Sequence, residues 1–480
     1  MITQCQEENR WRVVRRSVPK PVLKSLADQV SCFYRVHLGY LTLLSFFCLS
    51  GCMTHAKRVA SSRDLFYSGR MEECRSSLEK LSSPLRHDRD VVQLDLAMAT
   101  LLDGEAKKAE LLLKETRDRF FHLEKESIAE KAISMWTDDK SRAYAGESYE
   151  KILIHAFLAL ANLMHDGGDA ESHTLQLQAT HERLMQKASE KSQSKINYQP
   201  LPFGFYLRGL LREATLRDYD DAARNYNAAR DLLHHCIPLQ WDCNRAVSGV
   251  HSQPGNGVIY VLALVGRGPY KVEVTEEPTS DALLIADRII SAVGPYHLPP
   301  TIAPIKIPDI AIPNNDLDSV AVSVNGAYMG PTFCVANVRD LALETYRAEK
   351  NEILARAVAR RVIKKATVVA AKEKMGGDGL TRLGMDLAGV AWEAVESADT
   401  RCWGLLPSEI QIVRVEAAKG VAQLDMAPTF GGRQVGPRKT VNVDVRDGAN
   451  SYVLAWFPDA RSPGQVIKSD GNPQNETSPR

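Results

Sequence analysis

The sequence has no run of eighteen consecutive apolar residues, which excludes a conventional membrane-spanning helix. It has no excess of charge either. Its 60 Lys and Arg stand against 59 Asp and Glu, for a net charge of +1. A chain so balanced makes no case for nucleic acid as a partner. H-E-x-x-H, G-x-S-x-G and Walker A patterns are all missing, so zincin, serine-hydrolase and P-loop chemistry have no signature here. No histidine lies between His297 and the C-terminus, so Cys402 has no base near it in sequence. Nothing calls for a catalytic residue, a metal or a cofactor.

What is present is ordinary in bulk. The 480 residues suffice for two or three domains, and 44% hydrophobic with 25% charged residues are globular values. The first 51 residues differ from the rest. They hold seven basic residues, Arg10 to Arg35, and then thirteen mostly apolar ones, Leu38 to Ser50. A basic region followed by a short apolar one is the pattern of an export signal, here with a long basic region. It ends in Leu49-Ser50-Gly51-Cys52. This resembles the lipobox of bacterial lipoproteins. Small residues admit a peptidase, and a thiolate is readily alkylated by a lipid donor. The resemblance implies cleavage after Gly51 and acylation of Cys52, which would hold the protein on a membrane at about 0.8 kcal/mol per buried methylene. The protein is therefore expected in the cell envelope, facing the periplasm or the exterior. Met53 after the cysteine is consistent with outer-membrane sorting in a host with two membranes.

From Ser61 to about His235 the pattern is helical. One phrase recurs, with a small residue opening it and Ala and larger apolar residues at spaced slots. It appears as "GRMEECRSSLEKL" from Gly69, "GEAKKAELLLKET" from Gly104 and "RDYDDAARNYNAA" from Arg217, with a degenerate copy from Gly168. Gly69 and Gly104 lie 35 residues apart, near the tetratricopeptide period. Gly serves the turn, and Ala or Cys lets two helices approach. The stretch 149–169 adds a long helix with Ile152, Leu153, Ala156, Leu160 and Leu163 on one face. The Ser-rich segment 187–195 reads as a solvent-exposed end or a loop.

After His235 the grammar changes. "GVIYVLALV" and "YKVEVT" read as strands around a Gly-rich turn. "DSVAVSVNGA" alternates and ends in the turn pair Asn325-Gly326. "TVNVDVRDGANSYVLAWF" reads as a hairpin about Asp447-Gly448. Helices are expected over 341–374 and 380–398, with the Gly-rich segment 374–384 between them. The loop 298–314, with five prolines, reads as a surface crossing, and the tail 461–480 as disordered. The fold class is thus α+β: an all-α tetratricopeptide-like array, then a mixed α/β domain with antiparallel hairpins. The expected division is a signal peptide at 1–51, a lipid-anchored linker at 52–60, the helical domain at 61–250, the mixed domain at 255–460 and the tail.

Three stretches taken together carry a wider resemblance: "PLPFGFYLRGLLREATLRDYDDA", Gly268-Pro269 to Glu273, and "ADTRCWGLLPSEIQIVRV". In this order they resemble an uncharacterised family of bacterial envelope lipoproteins with a tetratricopeptide-like N-terminal half. The family has no assigned activity. Some members are encoded near lipoproteins that activate penicillin-binding proteins, which implies cell-wall upkeep by association. This chain departs from the family in its long basic leader and in the segment 236–254.

Six cysteines follow the leader: Cys52, Cys74, Cys236, Cys243, Cys334 and Cys402. Cys74 fills a small-residue slot and is expected in the core. Cys236 and Cys243, in "HHCIPLQWDCNR", are read as a local disulfide. A metal site with His234 and His235 is the weaker reading, because zinc ligands pair at closer spacing. The basic stripe Arg356 to Lys374 reads as a solvated helix face or a contact with anionic headgroups or wall polymers. Asp399, Arg401 and Trp403 read either as a buried ion pair at a helix-to-strand corner or as a docking spot for a partner. Two functions compete. The first is a scaffold that binds envelope proteins through the helical array, in assembly or regulation of cell-wall or surface machinery. The second is a hydrolase of a wall or surface polymer with its site in the C-terminal half. The missing catalytic motif favours the first.

Overall fold

The structure, a computed structural model, describes residues 55–83, 86–130, 142–191, 200–294, 296–375, 397–462 and 464–469. Residues 49–52, the segment 376–384 and most of the helix expected over 380–398 lie outside these residues.

Helices come first, in antiparallel neighbours: α1 (His55–Tyr67), α2 (Met71–Leu81), α3 (Arg89–Leu102), α4 (Ala106–Glu130), α5 (Ser148–Leu163), α6 (Ala170–Lys191), α7 (Pro202–Glu213), α8 (Tyr219–Leu232) and α9 (Ile237–Val247). The turns within the first two pairs use a positive φ at Gly69 (79°) and Gly104 (88°), as the repeated phrase predicts, and the third uses Gly167 (73°), one residue before the expected Gly168. In the fourth pair Leu216 takes this role, with φ 58°. The small slots Cys74, Ala109 and Ala222 are fully buried. Of the segment 187–195, residues 187–191 are the end of α6, the first of the two alternatives, and 192–195 lie outside the described residues.

Two sheets follow. The first has the order β12-β11-β1-β7-β6: β1 (Asn256–Arg267), β6 (Phe333–Asn337), β7 (Pro407–Ala418), β11 (Asn450–Phe457) and β12 (Gln465–Lys468). The second has the order β10-β8-β4-β5: β4 (Ser319–Val324), β5 (Ala327–Pro331), β8 (Gly420–Phe430), with β9 (Arg433–Gln434) on it, and β10 (Lys439–Val445). Asn325 and Gly326, at φ 51° and 82°, turn β4 into β5 as predicted. A β2 (Tyr270–Glu276) and β3 (Ile305–Ala311) ribbon packs with α10 (Ser280–Val293) and α11 (Val338–Met375) in a satellite core around Ala286, Ile307 and Val358.

The layers are helices, sheet, sheet. On β1, Val258, Tyr260, Leu262 and Leu264 join the helical core, while Ile259, Val261, Ala263 and Val265 pack on the second sheet. The strand is therefore apolar on both faces. Aromatic pairs tie the helices to the sheet and to the segment that leads into β7: Phe66 of α1 on Trp456 (4.8 Å between ring centroids), Tyr206 of α7 on Phe333 (5.6 Å) and Phe157 of α5 on Trp403 (5.2 Å), which precedes β7. Helices α1, α3, α5 and α7 thus form the inner row, and α2, α4, α6 and α8 the outer one. The sheet fills the inner face of the array. From His55 onward the chain is one compact unit, so the boundary expected at 250–255 is crossed by a shared core.

Three expectations need correction. Residues 439–457 are no hairpin: β10 pairs with β8, while β11 runs parallel to β1, Val258 opposite Asn450. The burial explains it. From Tyr452 to Phe457 β11 is buried throughout and takes an inner position, whereas β10 has a solvated face and goes to the outer sheet. The proline-rich segment is partly strand, because β3 pairs only with β2 and Pro308 loses little at such an edge. The tail is ordered as far as β12, which pairs with β11 from Trp456 to Val453.

Candidate functional site

The lipidation residue Cys52 and its box Leu49, Ser50 and Gly51 lie outside the described residues. The other residues singled out from sequence are placed as follows.

Cys236 and Cys243 are both free thiols. Cys236 caps the N-terminus of α9 and Cys243 lies two turns along it. Seven residues of helical rise separate the two Cα atoms by about 10 Å, beyond the roughly 7 Å that a disulfide spans. The proline that suggests a loop is instead in the first turn of the helix, where Pro is tolerated.

Asp399, Arg401 and Trp403 are no exposed docking spot. Arg401 is 6% exposed and Trp403 not at all. The Arg401 Nε and Nη2 donate to Asp399 at 2.9 and 2.7 Å, and Nη1 donates to the carbonyls of His87 and Arg142, both at 2.8 Å. The segment 399–406 is a plug inserted between the helices and β7. Two inner-row carboxylates hold its backbone. Glu150 of α5 accepts the Trp403 N–H at 2.7 Å, and Asp95 of α3 accepts those of Gly404 (2.9 Å) and Leu405 (3.1 Å). Glu150 also takes the Tyr144 hydroxyl at 2.6 Å. Burial pushes the Asp95 carboxyl up to about 7, against the pull of Arg63 and the two backbone donors. Burial, with Glu147 beside it, raises Glu150 too. Cys402 is buried in the same seam, its thiol raised to about 11 by burial, and its sulfur accepts the Lys271 N–H at 3.4 Å. A buried, protonated thiol is a poor nucleophile. The seam is structural.

On the outer row, α4 and α6 lie side by side with α5 as the floor between them. A ladder of polar contacts joins them: Glu110 with His173 (3.3 Å), Lys114 with Asp169 (3.3 Å), Arg117 with Gln176 (3.3 Å) and Glu124 with Arg183 (3.5 Å). Arg117, Phe120, Phe121 and Glu124 stand at i, i+3, i+4 and i+7, and so do Gln176, Ala179, Thr180 and Arg183. These stripes flank a cavity of about 290 Å³. His155 of α5 lines its floor, donating to or accepting from the Thr180 hydroxyl at 3.1 Å, while its Nδ1 has no partner. Burial, then Arg117, lowers this imidazole to about 3, so it is neutral. Arg117, Lys151 and Arg183 outnumber Asp118 and Glu124 around the opening, and Phe121 is 49% exposed. The groove suits a ligand with a carboxylate beside an apolar group.

At the other end of this groove Glu110, 4% exposed, gathers four donors. His165 Nε2 is 2.5 Å from Oε2, His173 Nε2 3.3 Å and Lys114 Nζ 2.7 Å from Oε1, and Asn162 Nδ2 is 3.4 Å from both oxygens. Burial pushes the carboxyl up, but hydrogen bonds from His173, Lys114 and His165 outweigh it and hold Glu110 far below the usual range. One ligand atom from each of Glu110, Asp169 and His173 lies within 4.8 Å of the others. Sequence reasoning misses this group because Glu110 and His173 are 63 residues apart. The legible part is Asp169 and His173, an i, i+4 pair on one helix face.

On the basic stripe of α11, Arg361 donates to the carbonyls of Ala303 and Pro304, at 3.1 and 2.9 Å, and so fastens the proline-rich segment. Among the described residues, no helix is long and apolar enough to cross a membrane. Compared with known proteins, the chain matches no family model, no curated protein and no solved structure.

Proposed function

We propose that this protein is an envelope lipoprotein of the bacterial family described above, held on a membrane through Cys52 and serving as a scaffold for envelope proteins. In this reading the helical half is a tetratricopeptide-like array that has given up its inner face to its own sheet. Partners therefore engage the outer row, at the groove between α4 and α6. The observation that carries the reading is the pair of matched side-chain stripes around the cavity floored by His155. Lys151 and the exposed Phe121 there, beside the Arg117–Asp118 and Arg183–Glu124 pairs, fit a protein segment carrying an acidic residue next to an apolar one. The setting is assembly or regulation of cell-wall or surface machinery.

Two measurements test it. Mass spectrometry of the mature chain is expected to find a diacylated N-terminal Cys52, and Cys52→Ala to remain unprocessed and unacylated. A photocrosslinker at position 121, in the native envelope, is expected to give a discrete protein adduct that Arg117→Glu with Arg183→Glu abolishes. A chain without lipid at Cys52 overturns the anchoring. Adducts from position 328 of β5 but none from 121 overturn the groove.

A further inference from the structure

We propose that Glu110, Asp169 and His173 form a binding site for a divalent transition-metal ion of the zinc class. This does not depend on the scaffold reading. The donor set is one imidazole nitrogen and two carboxylates, which suits such an ion in four-coordinate geometry with one position left for water. In a tetrahedral site with bonds of about 2.0 Å, neighbouring donors stand about 3.3 Å apart. Here the Glu110–His173 separation is 3.3 Å, and the Asp169 carboxylate falls within the same 4.8 Å cluster. Both imidazoles present Nε2 to one carboxylate of a buried side chain.

The surroundings support those ligands. His165 Nε2 donates to Glu110 Oε2 at 2.5 Å, and its Nδ1 lies 3.3 Å from Asp166 Oδ2, so this imidazole braces the Glu110 carboxylate from beside the cluster. Asn162 steadies two of the ligands. Its Nδ2 reaches both Glu110 oxygens at 3.4 Å, and its Oδ1 accepts the Asp169 N–H at 2.9 Å. Asp169 stands immediately before α6 and His173 lies in its first turn, while His165 lies in the turn that joins α5 to α6.

A cation already sits among these groups. The Lys114 ammonium lies 2.7 Å from Glu110 Oε1 and 3.3 Å from Asp169 Oδ2. It carries one charge against the carboxylates of Glu110, Asp166 and Asp169, and its side chain is 32% exposed on a flexible stem. A divalent ion offers twice that charge at the same point and adds a bond to the His173 imidazole, while the lysine swings to solvent. Lys114 is thus a competitor that the ion displaces.

The test uses the full chain, purified without a histidine tag and stripped by chelator. Zinc is titrated against a chromophoric chelator, and cobalt is added in a second series to read its visible ligand-field bands. Binding of one equivalent with intense tetrahedral cobalt bands is expected. His165→Gln with His173→Gln should weaken it at least about 100-fold, and Lys114→Met should tighten it several-fold. Circular dichroism of each variant checks the fold. Should the double variant unfold, Lys114→Met alone still decides. Unchanged or weaker zinc affinity in Lys114→Met overturns the site. So does zinc that survives in the double variant but is lost when exposed His234 and His235 are replaced by Gln.

Discussion

Asp95 receives the backbone N–H of Gly404 at 2.9 Å across 309 residues of sequence, and with Leu405 beside it this joins α3 to the entrance of β7. The carboxylate substitutes for a strand partner that the plug segment lacks. Asp95→Ala leaves two buried donors unpaired, and the expected loss is about 3 kcal/mol of unfolding free energy in urea. Asp95→Asn keeps an acceptor oxygen and should retain most of it. Equal losses in the two variants would show that the hydrogen bonds are not what matters.

The same residue gives a pH dependence with a definite sign. Its pKa rises from 3.8 in the unfolded chain to about 7 in the fold. A raised carboxyl favours the folded state below pH 3.8, and that contribution is lost as pH rises through about 7. The stability gap between Asp95→Asn and the parent should therefore move in favour of the variant between about pH 4 and about 7 and be constant above that. Urea midpoints across that range check it, and a constant gap would show that Asp95 is ionised throughout.

His155 acts in the opposite direction. Its pKa falls from 6.5 to about 3, so its contribution is complete above pH 6.5 and is lost as pH falls toward 3. Burial and Arg63 lower His55 to about 3 as well, so the two share one acid window. His155→Gln should lose less stability than the parent between pH 6.5 and about 4, while His55 keeps part of the slope. Identical acid titrations would show that His155 charges freely in the native state.

Glycine in an inner helix marks a close approach. A Cβ at Gly209 of α7 meets the Tyr226 ring of α8 at 2.6 Å. Tyr226 cannot yield easily, since it is fully buried and its hydroxyl donates to Glu213 at 2.7 Å, which in turn holds Arg245 at 2.6 and 2.8 Å. Gly209→Ala should cost about 1–3 kcal/mol through overpacking. Tyr226→Leu in the same chain should recover part of this. A neutral Gly209→Ala would mean that α7 and α8 are farther apart than described.

These elements show what was legible in the chain. Period and turn chemistry announced the helical pairs, because Gly69, Gly104 and the slots of Cys74 and Ala222 are local requirements. The Asn325-Gly326 hairpin was legible for the same reason. Pairing was not. Asp447-Gly448 has the chemistry of a hairpin turn, but β1 on one side and β8 on the other offered β11 and β10 better partners. The seam was half legible: the Asp399–Arg401 pair lies within two residues, whereas Asp95 and Glu150 reach the plug from 309 and 253 residues away. The groove needs three helices at once, so no single stretch of sequence announced it.

The thiols offer the most direct check on the described fold. Cys74, Cys236, Cys243, Cys334 and Cys402 are all unbonded. A chain beginning at Cys52, acylated there and never exposed to reductant, should release all five to a thiol reagent in denaturant. A count of three, with Cys236 and Cys243 mapped as the blocked pair, would mean that α9 is not helical between them. Under native conditions the order of reaction follows access and ionisation together. Cys236 and Cys334 are partly exposed, and should react before the three buried thiols, although burial raises the pKa of both. Cys402 combines burial with a pKa near 11, and its release should require opening of the seam that Asp95 and Glu150 close. In Asp95→Ala it should therefore become the thiol whose native-state labelling accelerates most. If Cys402 instead labels first in the parent, the seam is open in solution, and a reactive cysteine would return the hydrolase reading to contention.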